Sequence, residues 1–236
     1  MSEPLTFLDL FLFIVLPYAA VLVAVAGTIE RYRRHPFSCS SYSSQFLENR
    51  RHFWGEIPFH YGIILVLVGH VIVVTLPGRV LSLVGLPRWL FAIEAVALAL
   101  GLLAGFGLVV LMARRVLTPA LRGVTGLMDW LIYSLLFVQI LSGVAIALVH
   151  PWGAGWFASI LTPYLWSLAR FQPDASAMAA MPLLVKAHVA TAFAIVAVFP
   201  FSRLVHVVAV PNSYLWRRPQ VVRWRRHPAA SLEKRP

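Results

Sequence analysis

The sequence predicts an all-α integral membrane protein, a five-transmembrane-helix bundle with the N-terminus outside and the C-terminus cytoplasmic. Three observations predict it. The composition is 60% hydrophobic and only 12% charged, with a mean hydropathy of +0.79, where soluble domains carry about 25% charged residues. The apolar residues are gathered into five runs, each long enough for the roughly 20 residues that a spanning helix needs. The basic residues between those runs fall almost entirely on one side.

The runs cover about 7–29, 57–76, 89–112, 127–149 and 183–209. Their ends carry helix boundary signals. Pro58 suits a first helical turn and Pro77-Gly78 closes that run. Pro87 precedes the third run, and Thr118-Pro119 follows it. Pro151 ends the fourth, Pro182 opens the fifth and Pro211 follows. Pro17 and Pro200 fall inside runs and are expected to kink their helices. Residues 1–210 then form one transmembrane domain, and 211–236 a basic cytoplasmic tail. The loop at 150–182, with Trp152, Trp156 and Trp166, is expected to cap the outer end with aromatic residues at the interface.

Charge gives the orientation. Arg31, Arg33, Arg34, Arg50 and Arg51 lie in the first loop, and Arg114, Arg115 and Arg122 in the third. Arg203, Arg217, Arg218, Arg223, Arg225, Arg226, Lys234 and Arg235 lie at and beyond the end of the fifth run. Arg79, Arg88, Arg170 and Lys186 are the only basic residues of the other side. Sixteen against four places the arginine-rich side in the cytoplasm. The tail suits anionic lipid headgroups or a cytoplasmic partner. The net charge of +11 does not indicate nucleic acid, because the arginines flank apolar runs. The single cysteine, Cys39, excludes an internal disulfide and a cysteine-ligated cluster or zinc site within the chain. The absence of C-x-x-C-H excludes covalent c-type haem. Met1-Ser2-Glu3-Pro4 lacks a basic n-region, so the first run is expected to be kept as a helix.

Chemistry enters with histidine. Of eight, His35, His52, His150 and His227 fall in loops, ends or tail, while His60, His70, His188 and His206 fall within apolar runs. Ionisable groups there are costly and usually functional. His60 is near the cytoplasmic start of the second run, and His70 is about 15 Å further outward. The fifth run returns inward, so His188 is outer and His206 inner. Depth therefore pairs His60 with His206 and His70 with His188. Eighteen residues is a whole number of helical turns, which puts His188 and His206 on one face. Two imidazoles from opposed helices hold a b-type haem iron from both axial sides. Gly69 and Gly62 would leave room for a flat ring. The separation along a continuous fifth helix, about 27 Å, exceeds that on the second, and tilt with the Pro200 kink would have to absorb the difference. A metal or proton-relay site would want carboxylates. Glu94 and Asp129 are the only ones inside or at the edge of the later runs, and Asp129 suits a helix start.

Several stretches resemble the respiratory nitrate reductase gamma subunit. They are Phe59-His60-Tyr61-Gly62-Ile63 through Val68-Gly69-His70, and Phe199-Pro200-Phe201-Ser202-Arg203-Leu204-Val205-His206 with Val210-Pro211. Weaker matches are Pro17-Tyr18, Arg31-Tyr32, Ser43-Ser44-Gln45, Arg114-Arg115 with Pro119, and Gln220-Val221-Val222-Arg223. The resemblance implies a membrane di-haem cytochrome b of a bacterial or archaeal plasma membrane. It would oxidise quinol from the quinone pool near the outer face. Electrons would pass through two haems to a cytoplasmic iron–sulfur subunit and a molybdenum catalytic subunit, where the nitrate chemistry of anaerobic respiration takes place. It implies His70 and His188 for the distal haem iron, His60 and His206 for the proximal one, and a quinol site beside the distal haem that includes Gly69 and His70. This chain would carry no catalytic residue of the nitrate reaction itself. Arg203, three residues before His206, is the candidate for a haem propionate, whereas Arg114 and Arg115 are expected to act as positive-inside anchors. Members of that family can carry a lysine at the start of the third helix that contributes to quinol binding. Here Arg88-Trp89-Leu90-Phe91 stands there instead, and arginine differs from lysine in geometry and hydration. Arg88 is the candidate substitute. The difference also allows a cytochrome of a nitrite oxidoreductase or another molybdenum enzyme, with reversed or altered electron flow. A haem-free transporter or membrane anchor is the rival of another class.

Overall fold

The computed structural model describes residues 5–34, 50–150 and 152–207. Cys39, His35, His227, Pro211, Ser43-Ser44-Gln45 and the basic tail lie outside the described residues. All the regular structure described is helical. Five helices are long and apolar enough to cross a membrane. They are α1 (Phe7–Arg34), α2 (Arg50–Thr75), α4 (Pro87–Leu117), α5 (Leu127–Val149) and the span Leu183–Phe201, which opens with α7 (Leu183–Val198). Two shorter helices, α3 (Pro77–Val84) and α6 (Thr162–Ala169), lie at one end. Leu22, Ile64, Val71, Phe106 and Leu148 are among many exposed apolar side chains on the spans, as expected of a surface solvated by lipid rather than water.

α2 and α4 pack closest, because glycines remove side chains from their contact. A Cβ on Gly62 would stand 2.6 Å from the Ala104 amide nitrogen, and one on Gly107 would stand 2.7 Å from the Gly55 carbonyl oxygen. This is the small-residue packing that membrane helices use in place of a hydrophobic driving force. It also corrects the expectation for Gly62, which makes room for the backbone of α4 and not for a flat ring.

Two helix boundaries differ from expectation, and the first span carries a wider turn beside Pro17. Pro58 lies inside α2 and not in its first turn. Pro17 cannot donate to the Phe13 carbonyl four residues back. The chain widens there into a π-helical turn, Phe11–Val15, and the Phe13 carbonyl accepts the Tyr164 hydroxyl at 2.8 Å. The largest difference is in the fifth span. It does not continue to 209: regular α-helix ends at Val198, a 3₁₀ turn follows over Phe199–Phe201, and Ser202 is extended. A second 3₁₀ turn then covers Arg203–Val207. Pro200 breaks the helix where a kink was expected. The carbonyls of Pro200 and Ser202 both accept Arg31 Nη1, at 2.6 and 2.8 Å. Gly27 of α1 leaves the space filled by the Pro200 ring, since a Cβ there would meet it at 2.8 Å.

The 150–182 segment forms the expected cap. Short helical turns at Gly153–Trp156 and Phe157–Leu161 lead into α6. Hydrogen bonds tie the cap to the spans: Tyr18 Oη donates to the Leu168 carbonyl at 3.0 Å, and Trp166 Nε1 to the Val74 carbonyl at 3.0 Å. Phe13, Tyr164, Leu168 and Met178 make a buried cluster beneath it.

Candidate functional site

The bundle has two chemically distinct ends. At the arginine-rich end, the break in the fifth span returns the chain toward α2. The His60 and His206 rings lie 6.4 Å apart between centroids. The two residues thus meet because the helix is broken, not because five regular turns put His206 on the same face as His188. The 27 Å separation belongs to a continuous helix, and the fifth span is not one. At the cap end, His70 packs at 5.1 Å against Phe157 of the cap, and His188 lies against Gln139, Ser142 and Gly143 of α5.

The hydrogen bonds define how each imidazole presents itself. His60 Nδ1 is 2.8 Å from the Glu56 carbonyl, His70 Nδ1 is 2.8 Å from the Val66 carbonyl, and His206 Nδ1 is 2.6 Å from the Arg203 carbonyl. A carbonyl only accepts, so each Nδ1 carries the proton, and the neutral ring keeps its lone pair on Nε2. His188 reaches the same tautomer by another route. Ser142 Oγ donates its own proton to the Gln139 carbonyl at 3.0 Å and so accepts from His188 Nδ1 at 2.9 Å. His188 Nε2 accepts from the Gln139 side-chain amide at 3.0 Å. Nδ1–H bonded to a fixed acceptor, with the lone pair on Nε2, is the arrangement that metal-ligating histidines use.

The spacing of His60 and His206 fits a bis-histidine iron. A metal–imidazole bond of about 2 Å on each side, with the radii of two rings, sets centroids roughly 6 Å apart, close to the spacing of His60 and His206. Gln139 Nε2 occupies the bonding direction of His188, while Gln139 Oε1, shielded from solvent, has no hydrogen-bond partner. The carboxamide is therefore incompletely satisfied where it stands, and can be displaced without leaving a good bond behind. Among the described residues no three or more of His, Cys, Asp and Glu converge as a metal cluster.

Around the inner pair the charges are organised. Asp129 lies in the first turn of α5, as expected, and accepts the Gly126 amide at 3.1 Å. It also holds Arg203 in a two-point ion pair, Nε to Oδ1 at 2.6 Å and Nη2 to Oδ2 at 3.0 Å. Arg203 thus secures the turn whose carbonyl orients His206. Arg114 and Arg115 are buried rather than spread on a headgroup surface. Arg115 donates to Tyr133 Oη at 2.9 Å and Thr125 Oγ1 at 3.0 Å, and its guanidinium stands over the Tyr133 ring. Near the cap, Lys186 pairs with Asp9 at 2.9 Å. Glu94 accepts the Ala154 amide of the cap at 3.4 Å. Gly69, beside His70, faces open space, and Arg88, exposed in the first turn of α4, has its guanidinium 5.9 Å from the centre of the Trp89 ring. The sequence reading missed Gln139, Ser142, Arg31 and the Asp9–Lys186 pair. The spacing of Gln139, Ser142 and Gly143 was the available signal, since positions three and four apart on a helix share a face.

The fold defines a polytopic membrane bundle whose described residues include His60, His70, His188 and His206, with the His60 and His206 rings facing each other. Residues 9–225 match the nitrate reductase gamma subunit family. The chain is 32% identical over 214 residues to the nitrate reductase gamma chain of Bacillus subtilis, covering 89% of this chain and 96% of that one. It is 30% identical over 235 residues to the respiratory nitrate reductase 1 gamma chain of Escherichia coli, covering 93% and 99%. The chain belongs to the nitrate reductase gamma subunit family and is a multi-pass membrane protein.

Proposed function

We propose that the chain is the di-haem cytochrome b subunit of a quinol-dependent nitrate reductase. The observation that carries the proposal is the shared tautomer: four histidines, three in the spans and His206 in the turn after the fifth, each with Nδ1 committed to an acceptor and its lone pair on Nε2, which at His188 accepts from the Gln139 amide. His60 and His206 would hold one haem iron and His70 and His188 the other. When bound, the two haems supply one-electron carriers at two depths. The chain's residues supply the rest. Backbone carbonyls and Ser142 orient the imidazoles, and Asp129 with Arg203 fixes the turn that bears His206. Arg203 is also the candidate partner of a propionate.

The excess of basic residues on one side of the spans supports a cytoplasmic position for that side and for the C-terminus. The cap and the His70–His188 pair then lie outside, with Gly69, His70 and Arg88 as the quinol-binding candidates. Electrons pass inward to a cytoplasmic iron–sulfur subunit, and nitrate is reduced in a molybdenum subunit. The test is a visible difference spectrum of the purified complex, with quinol and nitrate added separately. Quinol should produce b-type absorption and nitrate should erase it. His188→Ala and His206→Ala should each remove one of the two haems. Retention of both haems in either variant refutes the ligand assignment. Arg88 in place of a lysine favours a second reading, in which the same cytochrome serves nitrite oxidation. In that case nitrite, and not quinol, reduces the haems.

A further inference from the structure

Three of the four histidines take their orientation from their own segment. His60 and His70 bond the carbonyl four residues back, and His206 the carbonyl three residues back. His188 does not. Its ring is held from across the bundle by one face of α5. Ser142 Oγ stands 2.9 Å from Nδ1 and the Gln139 amide 3.0 Å from Nε2. At Gly143, a Cβ would come within 3.0 Å of Cε1. Hydroxyl, amide and bare backbone thus contact the ring edge from Nδ1 through Cε1 to Nε2.

We propose that Gln139, Ser142 and Gly143 form a cradle that sets the orientation and donor strength of His188, with Ser142 as its positioning residue. The inference rests on the haem reading above. Ser142 donates its proton to the Gln139 carbonyl, which polarises its oxygen and makes it a better acceptor for Nδ1–H. An acceptor at Nδ1 raises the basicity of the ligating nitrogen and so favours ferric over ferrous iron. Gly143 lets the ring lie against the helix. The Gln139 amide occupies the ligating nitrogen while Oε1 goes without a partner, so it acts as a placeholder that keeps the ring poised and yields to iron.

The test uses the whole complex, with electron paramagnetic resonance of the ferric haems and a redox titration monitored at the b-type absorption. Ser142→Ala should shift the resonance of one haem and raise its midpoint potential, leaving the other haem unmoved. Ser142→Thr, which keeps the hydroxyl, should restore both values. Gly143→Ala should shift the resonance of the same haem by pressing on Cε1. The proposal is overturned if Ser142→Ala and Gly143→Ala leave both haems at wild-type positions. It is equally overturned if the Ala and Thr variants at 142 behave alike, because the hydroxyl then has no role beyond packing. These outcomes are separable from failure of the underlying reading, which would show as a wild-type complex without b-type haem or a His188→Ala complex that keeps both.

Discussion

The two ends of the bundle each orient a histidine, His206 at one and His188 at the other, by opposite means. At the arginine-rich end the backbone is broken. Pro200 ends the α-helix, Arg31 takes up the freed carbonyls, and Asp129 clamps Arg203 so that a 3₁₀ turn can offer His206 to His60. At the cap end α7 stays regular, and neutral side chains of α5 do the orienting of His188. The difference teaches where each end is vulnerable. The first depends on charged groups that are costly to leave unpartnered in a poorly solvated setting. The second depends on shape and on weaker neutral hydrogen bonds.

That contrast can be broken by substitution, most severely at Asp129. Asp129→Asn leaves Arg203, 29% exposed, facing a neutral group. It should cost about 3 kcal/mol, read as a lowered thermal midpoint in detergent, with looser binding of the haem assigned to His60 and His206. An unchanged midpoint would mean that the clamp does not secure the turn. A smaller effect separates two glycines of α2. Gly62→Ala drives a Cβ into the backbone of α4 and should cost about 2 kcal/mol, whereas Gly69→Ala enters open space and should change stability by less than about 0.5 kcal/mol. Equal thermal midpoints for the two variants would remove the packing role given to Gly62. The smallest effect concerns the ion pair near the cap. Lys186→Met or Asp9→Asn alone should lower the thermal midpoint slightly, and the double variant should cost less than their sum, because each single change strands the other partner. Strict additivity in the double-mutant cycle would show that the pair contributes nothing as a pair.

Much of this was legible in the sequence, for reasons that differ by residue. The spans follow from run length, since lipid demands a continuous internally bonded helix. The histidines stood out because polar groups in such runs are rare, and depth alone paired His60 with His206. The size of the break at Pro200 was not legible. A proline inside a helix permits either a kink or an end, and here Arg31 and Gly27, some 170 residues away in sequence, favour the end. Arg115 read as a surface anchor because charge near a helix end usually is one; Tyr133 and Thr125, which bury it, become neighbours only in the folded bundle. Ser142 and Gln139 are ordinary polar residues until His188 from another span is laid beside them.

The grip of Arg31 on the Pro200 and Ser202 carbonyls has a consequence for biogenesis. The arginine emerges from the ribosome with the first helix and its two acceptors with the last. The turn that bears His206 therefore gains this support only once the fifth span has been laid against the first.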